Sequence, residues 1–90
     1  MSQAIVNPDE LRKFANHLKQ FNADLQASSA SLKAQFRQLG DTWRDREHAK
    51  FAQEFEQTMK AIQRFKAASD QQIPVLIKKA QIIDQYLGRG

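Results

Sequence analysis

His17 and His48 are the side chains in this 90-residue sequence with the means to move a proton or hold a metal. Neither has the partners that such work needs. There is no cysteine, and no second histidine stands four residues from either one, so the spacing of a zinc site is missing. Asp9, Glu10, Asp24, Glu47, Glu54, Glu56, Asp70 and Asp84 supply many carboxylates, but they fall where solvated faces of helices would put them. No glycine-rich phosphate loop and no nucleophile elbow is present. Both histidines read as surface or core-edge residues. The chain is expected to be no enzyme and to need no cofactor, metal or small-molecule substrate. The remaining chemistry is that of recognition, and its best candidate is the lone tryptophan, Trp43. A large amphipathic ring can plug the end of a bundle and also offer a patch to a partner.

Trp43 stands in Leu39-Gly40-Asp41-Thr42-Trp43-Arg44-Asp45, and apolar residues recur at helical spacing on both sides of that stretch. Gly40 lacks a Cβ and can take the left-handed conformation that closes a helix. Thr42 and Asp45 are residue types that cap a new helix by accepting a backbone N–H. The stretch therefore predicts a reversal at residues 40 to 45 between two helices. The first should span about 8 to 39. Asn7 caps it, Pro8 suits its first turn, and Asp9 and Glu10 suit the positive end of its dipole. Residues 1 to 6 read as a loose arm.

Leu11, Leu18, Leu25, Leu32 and Leu39 lie seven apart, with Phe14 and Phe21 at the alternate heptad position and Phe36 joining near the end. The stripe thins at Ala27-Ser28-Ser29-Ala30-Ser31, which reads as a close helix crossing and less well as a ligand notch or hinge. The second helix, about 46 to 87, carries Phe51, Phe55, Met59, Ile62 and Phe65, and later Ile73, Leu76, Ile77, Ala80 and Ile83, in steps of three and four. Pro74 lacks an N–H and its ring crowds the preceding turn, so a kink is expected there. The stripe keeps its phase across Pro74, which favours one continuous helix. Gly88 and Gly90 should end it.

Two such helices cannot cover their own apolar stripes. Six phenylalanines and a leucine ladder left in water would make a large sticky patch. Pairing two hairpins into a four-helix bundle removes it. The expected architecture is thus all-α: a single antiparallel helix-turn-helix domain that dimerises. Leu11, Phe14, Leu18, Phe21, Leu25, Leu32, Phe51, Phe55, Met59 and Ile62 are the expected dimer core.

Composition sets the remaining bounds. A hydrophobic content of 41% argues against disorder, and the absence of cysteine excludes a disulfide framework. No run approaches the roughly 18 apolar residues of a membrane span. The opening Met1-Ser2-Gln3-Ala4-Ile5-Val6 has neither the basic head nor the apolar run of a cleaved signal peptide, so any export is expected to proceed without one. The net charge of +4 raises nucleic acid as a rival partner. However, residues 1 to 40 hold five bases and three acids and residues 41 to 90 hold nine and seven, so the excess is spread evenly. No basic stripe with aromatic platforms is evident along the sequence, which disfavours nucleic acid.

A hairpin of this length with a tryptophan in its central turn resembles the WXG-motif family. These are early-secreted-antigen-like proteins of the bacterial type VII (ESX) secretion system. The likeness covers the capped first helix, the turn with Trp43, and Ala49, Phe51 and Phe55 entering the second helix. It implies a non-catalytic, secreted substrate, co-substrate or adaptor that forms a homodimer, or a heterodimer with a related hairpin protein. It also implies a secretion ATPase as a further partner, and residence in the cytoplasm before export. Where the family has Trp-x-Gly this chain has Trp43-Arg44-Asp45. Asp45 in that place can cap the second helix, or can complete a capping box begun by Thr42. Trp43, Asp45 and Gly40 are accordingly the turn motif and candidate recognition site. The family's export signal, Tyr-x-x-x-acid, is represented by Tyr86 with Gly90 in place of the acid, so the signal is degenerate: either a partner supplies it or this member is not exported. The rival readings are a basic nucleic-acid-binding dimer, and a chaperone-like dimer or enzyme subunit built on the same hairpin.

Overall fold

Asn7 begins the first helix. Its backbone is extended, and its side-chain Oδ1 accepts hydrogen bonds from the N–H groups of Asp9 (2.8 Å) and Glu10 (3.4 Å). Those are two of the donors that a helix start leaves without an internal partner. The computed structural model describes residues 6–88, and there the chain forms α1 (Pro8–Leu39) and α2 (Arg46–Tyr86). The two run antiparallel as a long hairpin with extents of 64 × 25 × 16 Å. The arm reading of residues 1 to 5 and the contribution of Gly90 lie outside the described residues.

The reversal works differently from the left-handed closure that Gly40 permits. Gly40 is right-handed, with φ −64° and ψ −15°. Its N–H donates to the carbonyls of Phe36 and Arg37, each at 3.2 Å. Tightened turns follow, with Asp41 N–H donating to Gln38 O (3.0 Å) and Thr42 N–H to Leu39 O (3.1 Å), and Trp43 N–H also reaches Leu39 O (2.9 Å). What the glycine supplies is room. A Cβ at this position would lie 3.3 Å from the Arg37 carbonyl oxygen and 3.7 Å from His48 Nε2. The left-handed conformation occurs at Gly88, φ +74°, beyond α2.

Asp45 starts α2. It is extended, and its Oδ1 accepts from the His48 N–H at 3.0 Å. Thr42 makes no capping box, since its hydroxyl donates backward to Leu39 O at 3.4 Å. α2 then runs unbroken for 41 residues through Pro74, which is exposed. The chain follows the in-phase apolar residues on either side of that proline, and packing of the whole face outweighs one missing hydrogen bond.

The hairpin is poorly covered. Its radius of gyration is 20.1 Å, against about 12 Å for a compact chain of this length. Its accessible surface is 7114 Å², about 1,700 Å² more than a compact monomer of the same mass exposes.

Candidate functional site

Small residues line the seam between the helices. From α1 the buried positions are Pro8, Ala15, Asn22 and Ser29, each seven residues after the last. From α2 they are Met59, Ser69 and Ala80. Alanine and serine let two helix backbones approach closely, and that approach seals them from water. Within the stretch Ala27 to Ser31, Ser29 alone is buried and its neighbours are exposed.

Midway along the seam lies a polar junction. Asn22, 2% exposed, donates through Nδ2 to Ser69 Oγ and to Asp70 Oδ1, both at 2.8 Å. The Ser69 hydroxyl turns back to the carbonyls of Phe65 (2.9 Å) and Lys66 (3.1 Å). Lys66 Nζ reaches Asp70 Oδ2 at 2.8 Å. The Lys66 hydrogen bond, and after it the one from Asn22, holds the Asp70 carboxyl below its ordinary pKa. Toward the open end a second link crosses the hairpin, where Arg12 pairs with Asp84 and with Asp9. The hydrogen bond that Arg12 donates to Asp84 is the main reason that the guanidinium is held even more firmly protonated than usual. Both links join residues far apart in the chain, so they fix which turn of α1 meets which turn of α2.

Aromatic rings fill the turn end. Phe36 stacks on His48 with centroids 5.2 Å apart and an interplanar angle of 6°, and it meets Phe55 at 4.8 Å and Phe51 at 5.6 Å. Trp43 packs edge-on to His48 at 5.1 Å and lies 5.9 Å from Phe51. Its ring is half-buried, one side on this cluster and the other toward solvent. Of the turn motif, then, Trp43 joins the cluster, Asp45 caps α2 from an exposed position, and Gly40 leaves space beside His48. His48 Nε2 is buried and bonds to no group among the described residues. His17 is exposed.

The large apolar residues flank the seam on one side. At about 100° per residue, Leu11, Leu18 and Leu25 stand roughly 40° to 60° around α1 from the seam positions, while Phe14 and Phe21 stand about 100° around. On α2 the same sense of rotation from Met59 leads to Phe55, Ile62 and Phe51. Because the helices are antiparallel, the two sets share one face of the hairpin, and Phe21 meets Phe65 across it edge-to-face at 6.1 Å. That face is wet. Phe14 is 57% exposed and Phe21 51%, and Leu32, Phe51 and Phe65 are also exposed. Leu11, Leu18, Leu25, Phe55 and Ile62 are half-buried, and Met59 is already enclosed by the hairpin itself. Tyr86 projects from the end of α2, almost wholly exposed.

Sequence reasoning gives Asn22 no assignable role, and it offers Ser69 or Asp70 as the cap of a helix restart before Pro74 and Asp70 as a solvated carboxylate. The structure instead joins all three at the seam. The seven-residue spacing of Ala15, Asn22 and Ser29 beside the leucine ladder was the available signal. Among the described residues no cluster of His, Asp and Glu could hold a metal ion, and no helix is long and apolar enough to cross a membrane. A family model, WXG100, described as proteins of 100 residues with WXG, matches residues 3–81. No curated protein and no solved structure matches the chain.

Proposed function

This chain belongs to the WXG100 family, and from that premise we propose that it is a substrate, co-substrate or adaptor of a type VII secretion system that works as a paired hairpin. The observation that carries this reading is the wet apolar face on which Phe14, Phe21 and Phe65 stand about half-exposed. A run of large apolar side chains exposed along one face marks a place where something else sits. The occupant is a second hairpin, from this chain or a related one. Laid on that face it completes a four-helix bundle, and it takes from water much of the excess of about 1,700 Å² per chain.

In such a bundle the chain's role is to be recognised. The aromatic cluster sits at one end with Trp43 half-available, and Tyr86 stands at the other end, free to be read by a secretion ATPase or by the partner's tail. None of these groups needs to move a proton. Their contribution is rigid apolar area in a fixed position, which is how aromatic anchors dominate interfaces.

The test is the oligomeric state of the purified chain and of Phe21→Asp, measured by sedimentation. The unmodified chain should sediment as a dimer or require a co-expressed hairpin to do so, and Phe21→Asp should not pair. A stable, folded monomer at micromolar concentration, indifferent to candidate partner hairpins, would remove the reading. Export is tested separately, in cells carrying a type VII system, with the chain alone, with a partner, and as Gly90→Glu, which restores the Tyr-x-x-x-acid spacing. Failure to leave the cell in all three forms would sink the secretion role.

A further inference from the structure

The face opposite Phe14, Phe21 and Phe65 carries a groove of about 530 Å³ near the turn end. Its floor is apolar, formed by Phe36, Ala52, Phe55 and Met59. Its walls are basic: Lys33 and Arg37 rise from α1, and Lys60 and Arg64 from α2. Glu56 is the one acid at the rim, and it is already paired with Lys60 at 3.6 Å. The even distribution of charge along the sequence does not survive folding here. Four bases against one acid leave a local excess of three, compared with +4 for the whole chain.

The helical geometry places this groove away from the apolar face. From Phe36, Leu32 and Leu39 lie about 40° and 60° to one side, whereas Lys33 and Arg37 lie about 60° and 100° to the other. From Met59 the same holds, with Phe55 and Ile62 on one side and Glu56 and Lys60 on the other. A hairpin seated on the phenylalanine face therefore leaves the groove open. The depression exists because Phe36, Phe55 and Met59 occupy the seam here, where alanine and serine let the helices close up further along.

We infer that this groove is a second docking site, which takes an acidic amphipathic helix from a partner protein other than the bundle partner. Three features select that occupant. The apolar floor calls for apolar side chains along one face of the ligand. The cations come in pairs four residues apart on each wall, about 6 Å along the axis. Carboxylates one turn apart on a helix laid in the groove have the same spacing. The surface is also concave, so a flat bilayer cannot bring its headgroups and the floor together. A phosphate backbone, for its part, has no apolar face to give the floor.

The probe is a synthetic helix with leucines along one face, flanked by glutamates one turn apart, titrated into the isotopically labelled full chain at about 150 mM salt. Amide shifts should concentrate at Ala52, Met59 and Lys33, leaving Phe14 and Phe21 unmoved. Arg37→Glu with Arg64→Glu, both exposed side chains, should weaken binding about tenfold or more. A lysine-for-glutamate version of the peptide should then bind that variant better than it binds the unmodified chain. Ala52→Trp should block the groove with all four charges in place. Shifts confined to the phenylalanine face, or indifference to charge reversal, would overturn the assignment. So would tighter, saturable binding of phosphatidylglycerol vesicles or duplex DNA by the same four cations. Sedimentation of the same samples keeps this inference separate from the bundle reading. Dimers that lose the peptide on charge reversal support the groove, and a monomer that still binds the peptide there supports it while removing the bundle.

Discussion

Along the seam between α1 and α2 most of the sealed side chains are alanine, serine and asparagine, with Pro8 and Met59 beside them, while on the adjoining face phenylalanines stand half in water. In an ordinary globule the largest apolar groups are the most deeply buried. Here two helices in contact can fully shield only what lies on the line between their axes, and that line favours small groups wherever the backbones approach closely. The bulky residues flank the line and are covered on one side alone. The comparison teaches that this hairpin holds two sets of packing information. The seam specifies how α1 sits on α2, and the outer face leaves the larger apolar groups uncovered.

The largest effect expected from breaking this division is on the outer face. Phe21→Asp puts a charge where a second hairpin would bury it, costing several kcal/mol. Sedimentation should show loss of pairing while circular dichroism of any surviving hairpin stays helical. If pairing survives, the outer face is not the interface. The seam should respond in the opposite way. Ala15→Leu forces bulk into a fully closed position and should cost about 1–3 kcal/mol in urea unfolding. Phe14→Leu, one residue away but on the wet side, should cost much less.

Asn22→Ala probes the polar junction within the seam. It removes the donor shared by Ser69 and Asp70 and should cost about 1–3 kcal/mol. Acid sharpens the same point. The Asp70 carboxyl is held below its ordinary pKa in the fold, so its contribution is complete above the ordinary aspartate value and is lost as pH falls through the lowered one. Thermal melts should therefore show stability declining at acid pH, and Asp70→Asn should flatten that decline. A parallel decline in the variant would assign the loss to other carboxylates. The smallest effect belongs to the turn. Gly40 is right-handed, so Gly40→Ala meets only a tight contact with the Arg37 carbonyl and should shift stability by about 0.5 kcal/mol or less. A loss of several times that would mean that the contact with His48 matters more than its 3.7 Å spacing indicates.

The sequence alone determined what depends on residues within a turn of one another. Asn7 and Pro8 mark the start of α1, Asp45 marks the start of α2, and steps of three and four through Phe51, Phe55, Met59 and Ile62 mark a helix between caps. Such signals are readable because a cap bonds to an N–H two or three residues on, and an apolar stripe repeats within one or two turns. The likeness of Trp43-Arg44-Asp45 to a family turn was readable for the same reason. Tertiary structure alone decided how the two helices are rotated and slid against each other. That choice buried Ala15, Asn22 and Ser29 instead of the leucines beside them, joined Asn22 to Ser69 and Asp70 across just over half the chain, and gathered Lys33, Arg37, Lys60 and Arg64 around one groove. A leucine and an asparagine on neighbouring positions of a helix have equal claim to the seam until a partner helix arrives. The close approach of two backbones then favours the smaller side chain, and no pattern along one strand of sequence records that competition.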